Sequence, residues 1–576
     1  MNHIVRIDTR TGKVTSQQAT PEERHWGGRL LVGKFLLREV PPACDALGRH
    51  NKFLIAPGLL GDTPVTTSGK FSLGGKSPLT GGVKESDVGG EVGKKIARLG
   101  IRAVVLEELP AAPVTNVLVI NARGAALQPC PDLKGKNVTE TIESLRTRFG
   151  SEAGLLCIGP AGEMKLSGAG IAVTDVHDVQ IRYAGRGGLG AVLGAKGIKA
   201  IVVDDKDAPA PVFFDEAALK EANKEFVALI LADPKTDNRH KFGTPAVLAA
   251  CNALGILPTR NFSAGQFEKA KEIDGDRIVE VIHSRKGAAR MGTPCVRGCV
   301  IQCSNIFAGP VGKKITASLQ YESIALLGPN CGIGSLDDIA ELNDLCNQVG
   351  VDTIEIGAAI GVAMEAGVIP FGDAEGAKDL IRQIGQGTYL GRILGCGAVT
   401  TGRVLGVRRV PAIKGQAIPA YDPRALKGNG VTYITSPMGA DHTAGNMLET
   451  ASRINPLGIE GQVENSRRLQ LRAALLDTMG LCLFTRPAFV KKPTLFGTIL
   501  KHRYGWEPTY AEVQQMGADC LATEREFNLR AGVSEELFDI PEFMREEPLP
   551  PTQAVFDISM EALQQIWEVK APEGVF

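Results

Sequence analysis

The sequence predicts an α+β protein in which a β-rich N-terminal part precedes a mainly helical chain. Short apolar runs at residues 103–106, 114–120, 154–158 and 199–203 are separated by glycine and proline, as in strands. The apolar period then changes to that of helices, first at residues 214–233. Polar and glycine-rich breaks near residues 204–209 and 405–440 predict boundaries between three domains. These are 1–208 (β-rich), 209–415 (helical, with a cysteine cluster) and 416–576 (helical).

Two of the predicted helices end in the same way. Residues 337–349 carry one apolar stripe and are followed by Gly350, after which Asp352 has the position of an N-cap for a helix over residues 353–366. Residues 463–479 predict another helix, and Gly480 ends it. No fixed-period repeat stands out along the chain.

Composition excludes several classes of protein. Lysine plus arginine equals aspartate plus glutamate at 64 each, so no overall charge favours nucleic acid or an anionic membrane as a partner. The N-terminus has no apolar signal segment, and no run of about 18 apolar residues predicts a membrane span. Without an export signal, the 12 cysteines are expected to be thiols or metal ligands. We therefore expect a cytoplasmic protein without nucleic-acid or membrane partners.

The strongest chemical signal is the cluster Cys295, Cys299 and Cys303, in which three thiols fall within nine residues. Thiolates are soft ligands that suit iron–sulfur clusters or zinc. A cubane cluster needs a fourth ligand, for which Cys482 is the best candidate. The alternatives are a structural zinc site, although paired C-x2-C hooks are missing, or three buried cysteines without metal.

Two glycine-rich stretches lie in the β-rich part, at residues 68–90 and 182–196. Successive glycines let backbone N–H groups approach an anion, and neighbouring lysine or arginine neutralises phosphate. Neither stretch has the P-loop pattern, and each alone is compatible with a tight structural turn. Together, with their interleaved basic residues, they favour a phosphate-bearing cofactor.

The segments that end in Asp352 and Cys482 share one plan. Asn347 and Asp477 each lie on a last helical turn, followed by a glycine, an apolar residue and a second functional residue. A carboxylate in that place can accept hydrogen bonds from adjacent donors of a planar heterocycle. Ordinary C-capping is the alternative for either segment alone.

These motifs together resemble the tungsten-containing aldehyde:ferredoxin oxidoreductase family. The resemblance covers Lys76–Gly81, Arg182–Val192, the cysteine cluster, Tyr321-Glu322 and Gly439–Thr443, in addition to Asp477–Cys482. It implies an N-terminal β-rich domain that cradles two pterins, followed by two mainly helical domains. It also implies tungsten or molybdenum held by the pterin dithiolenes, a magnesium ion that bridges the pterin phosphates, and a [4Fe–4S] cluster.

The resemblance assigns a role to each matching residue. The implied cluster ligands are Cys295, Cys299, Cys303 and Cys482. The implied pterin-phosphate positions are Lys70, Asp87, Gly89, Arg182, Gly185 and Arg186. The residues implied to face the pterin rings are Asn347, Asp352, Asp477 and Leu481. Glu322 matches the family's proposed general base, and His442 would hydrogen bond to the aldehyde oxygen.

The chain departs from the family pattern at four places. The first cysteine gap is three residues where two is usual, and Lys70, Asp87 and Asn347 replace the more common arginine, asparagine and aspartate. Asn347 carries no charge, so its pterin contact should be weaker. None of these departures removes the site.

The implied activity is oxidation of an aldehyde to a carboxylic acid, reversible in principle. Electrons would leave through the cluster to ferredoxin or to an iron–sulfur or flavin subunit, and the resemblance is compatible with a homo- or hetero-oligomer. One alternative is a tungsten-dependent aryl-CoA reductase subunit of the benzoyl-CoA type. The other is a non-catalytic iron–sulfur electron-transfer or zinc-stabilised binding subunit.

Overall fold

The computed structural model describes residues 2–175, 181–534 and 538–567, and its N-terminal part contains two six-stranded sheets. In the first sheet the spatial order is β2-β1-β6-β3-β4-β5, and only the β1–β6 pair is parallel. Its strands are β1 (His3–Asp8), β2 (Val14–Gln18), β3 (Phe53–Pro57), β4 (Phe71–Lys76), β5 (Val83–Val88) and β6 (Ile101–Glu107).

The second sheet repeats this topology. Its order is β8-β7-β12-β9-β10-β11, and only the β7–β12 pair is parallel. Its strands are β7 (Asn116–Asn121), β8 (Gly124–Pro129), β9 (Gly154–Cys157), β10 (Ile171–Thr174), β11 (Ile181–Ala184) and β12 (Ile198–Asp204). The structure therefore reveals a duplication that the sequence, which has no evident repeat, did not predict.

The helices of the two halves occupy equivalent places. Helices α1 (Gly28–Glu39) and α3 (Val138–Phe149) follow the first hairpin of each half, and α2 (Val92–Arg98) and α5 (Leu189–Ala195) precede the last strand. A short α4 (Pro160–Glu163) is specific to the second half. Both last strands are nearly continuous apolar runs, as expected for central strands covered on both faces, and one core joins the two sheets.

The rest of the chain is mainly helical, so the α+β prediction is confirmed. The predicted helices at 214–233, 337–349, 353–366 and 463–479 are observed with ends shifted by at most two residues. The first group of helices is α6 (Glu216–Leu231), α7 (Pro234–Phe242), α8 (Leu248–Ala253), α9 (Gly275–Ser284), α10 (Tyr321–Leu327), α11 (Leu336–Val349), α12 (Thr353–Glu365), α13 (Ala374–Gln386), α14 (Tyr389–Gly395) and α15 (Ala398–Leu405). The second group is α16 (Lys427–Thr435), α17 (Gln462–Met479), α18 (Arg486–Lys491), α19 (Leu495–Tyr504), α20 (Tyr510–Arg530), α21 (Phe543–Glu546) and α22 (Met560–Gln564).

Two small sheets complete the described elements. One has three strands, β13 (Arg290–Thr293), β14 (Ser304–Ala308) and β15 (Lys314–Ala317), and the other has two, β16 (Ala412–Ile413) and β17 (Gln416–Ala417). The domain divisions at residues 208 and 415 stay predictions. Within the described ranges no single helix is long and apolar enough to cross a membrane, although the bent pair Gln462–Met479 and Leu483–Lys491 passes by length and composition.

Candidate functional site

A cavity of about 380 Å³ lies where the two sheets meet the ends of α11 and α17. The duplicated strands β5 and β11 line it from the N-terminal part, and the helical part closes it. Eleven of the sixteen predicted site residues line this cavity: Lys70, Asp87, Gly89, Arg182, Gly185, Arg186, Cys295, Asn347, Asp352, His442 and Asp477.

The end of α17 is bonded to the first half of the N-terminal part. Gly480 has φ 75° and closes the helix, and the Leu481 N–H donates to the Leu476 carbonyl at 3.0 Å. The Lys70 N–H in turn donates to the Gly480 carbonyl at 3.3 Å. A Cβ at Gly480 would lie 2.7 Å from the Lys70 carbonyl oxygen, so only glycine permits this approach.

The end of α11 is bonded to the second half in the same way. Gly350 has φ 81°, and the Val351 N–H donates to the Cys346 carbonyl at 3.0 Å. The Gly170 N–H donates to the Gly350 carbonyl at 3.0 Å, and a Cβ at Gly350 would lie 2.6 Å from the Gly159 nitrogen. The shared plan read from the sequence therefore corresponds to two equivalent helix ends, one for each sheet.

The side chains of the two turns have different surroundings. Asp477 lies 3.3 Å from Nη1 of Arg29, and burial together with the Asp87 carboxylate raises the pKa of Asp477 to about 7. Asp352 instead caps α12, because its carboxylate accepts the N–H groups of Ile354 and Glu355 at 3.1 and 3.3 Å. This observation fits the N-cap predicted from the sequence.

Basic side chains surround the cavity and are anchored by neighbours. Lys70 forms an ion pair with Asp87, and the Arg182 Nη2 donates to Ser304 at 2.8 Å. Arg186 donates to two backbone carbonyls, at 3.0 and 2.6 Å, and its Nε lies 3.3 Å from Asp352. These cations could bind the anionic oxygens of a phosphate-bearing ligand, although five carboxylates also line the cavity: Glu85, Asp87, Asp352, Asp441 and Asp477.

Several polar atoms at the cavity have no hydrogen-bond partner among the described residues. They include Asp87 Oδ1, Glu85 Oε1 and His442 Nδ1, all of them buried. Buried polar atoms are normally satisfied, so this concentration indicates a site for a polar ligand. A pterin with its phosphates offers both donors for carboxylates and anionic oxygens for the cations, so the residues fit the cofactor that the family resemblance implies.

Glu322 and His442 form a pair beside the cavity. Glu322 is the second residue of α10, and its Oε2 accepts the Ala420 N–H at 2.8 Å while its Oε1 lies 3.4 Å from His442 Nε2. Burial raises the pKa of Glu322, although His442 and the Ala420 N–H oppose the shift. A buried carboxyl with a raised pKa next to an imidazole is suited to proton transfer.

Cys295 lines the cavity, and the other three predicted cluster cysteines lie near it without lining the cavity. A hydrogen bond from Cys299 lowers the pKa of Cys295 to about 6 and raises that of Cys299, on which Cys303 and Cys482 also act. Burial raises the pKa of Cys303 to about 12. The Phe484 N–H donates to the Cys482 sulfur at 3.5 Å. Mutual electrostatic influence across the group places all four thiols in one environment.

Among the described residues, the group with three ligand atoms mutually within 4.8 Å is Asp338, Glu341 and Glu375, and Lys378 forms ion pairs with all three. The four thiols do not form such a group, although Cys295 and Cys299 are hydrogen bonded to each other. The identity of a metal at the thiols therefore stays a prediction.

Two predicted residues are placed differently from the rest. Leu481 does not line the cavity, because its side chain is fully buried in an apolar core with Val296 and Met479. Glu322 is not among the lining residues, but its Oε1 lies 3.4 Å from Nε2 of His442, which lines the cavity. Sequence reasoning missed Arg29, which lines the cavity and forms a two-pronged ion pair with Glu524 at 2.8 and 2.9 Å. The glycines at positions 27 and 28, next to Arg29, were the available signal.

Comparison with known proteins gives matches over nearly the whole chain. The family models for the N-terminal domain and for domains 2 and 3 of aldehyde ferredoxin oxidoreductase match residues 4–205 and 221–570. The tungsten-containing aldehyde ferredoxin oxidoreductases of Pyrococcus furiosus and Thermococcus kodakarensis are each 30% identical to this chain, and the matches cover 95% of it and 92% of theirs.

Two further proteins are more distant. The aliphatic sulfonate oxidoreductase, WOR-like subunit, of Pyrococcus furiosus is 25% identical over 85% of this chain and 80% of its own. The active-site complex BamBC of benzoyl coenzyme A reductase, solved with 1,5-dienoyl-CoA, contains a chain of the same fold. The TM-score is 0.81 at 16% identity, with 98% of this chain and 93% of that chain covered. From the family models and the 30% identity over nearly its whole length, this chain belongs to the aldehyde ferredoxin oxidoreductase family and is an oxidoreductase.

Proposed function

We propose that this protein oxidises aldehydes to carboxylic acids at a tungsten or molybdenum centre held by two pterins, in a reaction that can also run in reverse. Cys295, Cys299, Cys303 and Cys482 would hold a [4Fe–4S] cluster, which would supply single-electron transfer to ferredoxin or to a partner subunit that carries iron–sulfur or flavin groups. The observation that carries this proposal is the Glu322–His442 pair beside a cavity that cations and carboxylates line, with four thiols nearby.

Different residues of the cavity would contact the phosphates and the rings of the cofactor. Lys70, Arg182 and Arg186 would bind the pterin phosphates together with a magnesium ion, and Asp477 and Asn347 would accept hydrogen bonds from the pterin rings. Gly89 and Gly185 allow close approach of the backbone, since a Cβ at either would already meet a neighbour at 3.2–3.3 Å. When bound, the cofactor supplies the two-electron redox change that the protein side chains cannot provide.

The chain's own residues handle the protons. Oxidation of an aldehyde takes one oxygen from water and releases two electrons and two protons. Glu322 Oε1, buried and without a hydrogen-bond partner among the described residues, accepts a proton from the attacking water. His442, 3.4 Å away, donates to the aldehyde oxygen as negative charge develops there.

The test is turnover of an aldehyde panel with a viologen acceptor, combined with a Glu322→Gln variant. We expect acids as products, and a loss of kcat of about 10²–10⁴-fold in the variant at unchanged tungsten content. Because burial raises the pKa of Glu322, kcat of the wild type should fall as pH drops through that raised pKa, since the protonated carboxyl cannot act as a base. Full activity of the variant would contradict the role of Glu322.

Reduction of an aryl-CoA thioester is the second candidate, because 98% of this chain shares its fold with a chain of the benzoyl coenzyme A reductase complex. It keeps the cofactor but needs a channel for a coenzyme A group. Turnover of benzoyl-CoA with a low-potential donor, and of no aldehyde, would favour this reaction.

A further inference from the structure

Arg239 lies beside the cysteine group but outside the cavity. It belongs to α7, which the Asp233 carboxylate caps by accepting the Lys235 N–H at 2.8 Å. The C-terminal end of α7 touches the loop that carries Cys295, Cys299 and Cys303 (the cluster loop), since a Cβ at Gly243 would lie 3.0 Å from the Cys303 carbonyl oxygen. Helix α7 therefore covers the thiols from the helical part of the chain, whereas Lys70 and Arg182 approach them from the two sheets.

The guanidinium of Arg239 is held in an unusual environment for a cation. Its Cζ lies 4.3 Å from the ring centre of Phe484, whose N–H donates to the Cys482 sulfur. Its Nη1 is buried and has no hydrogen-bond partner among the described residues. Burial and the like charge of Arg486 lower the pKa of Arg239, whereas Cys482 and Cys303 oppose that shift.

Such an arrangement requires a negative charge nearby. A mostly buried guanidinium with an unsatisfied N–H, next to a second arginine, is unfavourable unless an anion compensates it. The acidic groups whose charge would favour this guanidinium are Cys482 and Cys303 in their thiolate form, with Asp233 contributing less. Thiolates that ligate iron remain anionic, so a bound cluster supplies the missing charge permanently.

We propose that Arg239 is the electrostatic partner of the iron–sulfur cluster and raises its reduction potential, which makes the cluster a better acceptor for single electrons. The inference rests on the proposed function, because it assumes the cluster on the four cysteines. When the cluster takes up one electron its negative charge increases by one, and a fixed cation in a poorly solvated position stabilises that reduced state. The electron comes from the oxidised substrate and leaves to the external carrier.

The test is a redox titration of the purified holoenzyme with dithionite, in which electron paramagnetic resonance measures the reduced cluster. The variants are Arg239→Gln, which removes the charge, Arg239→Lys, which keeps it, and Lys241→Gln as the matched control on the same helix. Lys241 is exposed, so water screens its charge. We expect the midpoint potential to fall in Arg239→Gln by a shift equal to a roughly tenfold or larger drop in the reduction equilibrium constant, a smaller fall in Arg239→Lys and none in Lys241→Gln.

The outcomes separate this inference from the proposed function. Wild-type protein without iron would overturn the proposed function and the inference with it. Full iron content with an unchanged potential in Arg239→Gln would overturn the inference alone. An equal shift in Lys241→Gln would also overturn it, because the effect would then be one of general surface charge. Loss of iron in both Arg239 variants would assign Arg239 to assembly of the cluster and contradict the tuning role.

Discussion

The turns after α11 and α17 have the same backbone but different side chains. Both end in a glycine with φ near 80° and bond to equivalent parts of the duplicated N-terminal sheets. The first turn carries Asn347 and uses Asp352 to cap the next helix, whereas the second carries Asp477 near Arg29 and contributes Cys482 to the thiol group. The two turns thus offer similar supports for a ligand at equivalent places of the duplicated sheets, and only the second contributes a residue to the thiol group.

The largest expected difference between the two turns is the effect of replacing their last residues, Cys482 and Asp352, on the iron content. Cys482→Ser should abolish assembly of a stable iron–sulfur cluster, because serine is a poor substitute for a soft thiolate ligand. Asp352→Ser should keep the iron, since serine still caps a helix and the side chain lies outside the thiol group. Iron analysis of the purified variants measures both. Iron loss in Asp352→Ser but not in Cys482→Ser would reverse the assignment.

The second prediction compares the acceptor side chains. Asp477→Ala should reduce the tungsten and pterin content about tenfold, since a hydrogen bond to a charged group is worth roughly 1.5–3 kcal/mol. Asn347→Ala should reduce it by a smaller factor, because a neutral amide makes the weaker contact. Metal analysis and fluorescence of the oxidised pterin give the two contents. Equal losses in both variants would mean that the two turns bind the cofactor equally.

The third prediction concerns pH and the metal-free protein. The pKa of Asp477 is about 7 in the folded state and 3.8 in a free side chain, so the folded state binds more protons between these values. Its contribution to the free energy of unfolding therefore falls as pH rises from about 4 to about 7. Asp477→Asn should lessen this decline, and Asn347→Ala should leave it unchanged. Urea unfolding at several pH values measures it, and an unchanged decline in Asp477→Asn would contradict the raised pKa.

The smallest effect tests whether the two backbones are equivalent. Gly480→Ala and Gly350→Ala should lower stability by similar amounts, because each adds a Cβ 2.6–2.7 Å from a backbone atom. Gly367→Ala is the matched control, since Gly367 has φ 77° but nothing within 4 Å of the added Cβ, so it should lose only about 1–2 kcal/mol. Thermal unfolding of the metal-free proteins compares them. A loss in Gly480→Ala no larger than in the control would exclude the close approach.

The sequence predicted what depends on local pattern. The caps at Gly350, Asp352 and Gly480, the helices next to them and the α+β division all follow from periodicity and capping, which act over a few residues. The convergence of eleven site residues on one cavity was expected from the family resemblance rather than from spacing. The duplication was not predictable, because a shared strand order can persist when the side chains no longer match.

Contacts between distant segments account for what was missed. Arg29 meets Glu524, 495 positions away, and Arg239 reaches the thiols through packing of α7 on the cluster loop. Neither residue lies in a recognisable motif, and such pairs are set by tertiary packing alone. The burial of Leu481 was missed for the same reason. The sequence shows that Leu481 precedes Cys482, but it does not show the apolar core in which the Leu481 side chain packs.

The proposed function requires a pterin-bound metal next to an iron–sulfur cluster. Elemental analysis of the purified protein, combined with electron paramagnetic resonance after dithionite reduction, tests for both groups at once. We expect tungsten or molybdenum, iron in the amount of one [4Fe–4S] cluster, and a reduced-cluster signal that disappears in Cys482→Ser. Zinc as the main metal, or iron without tungsten and molybdenum, would contradict the proposed function.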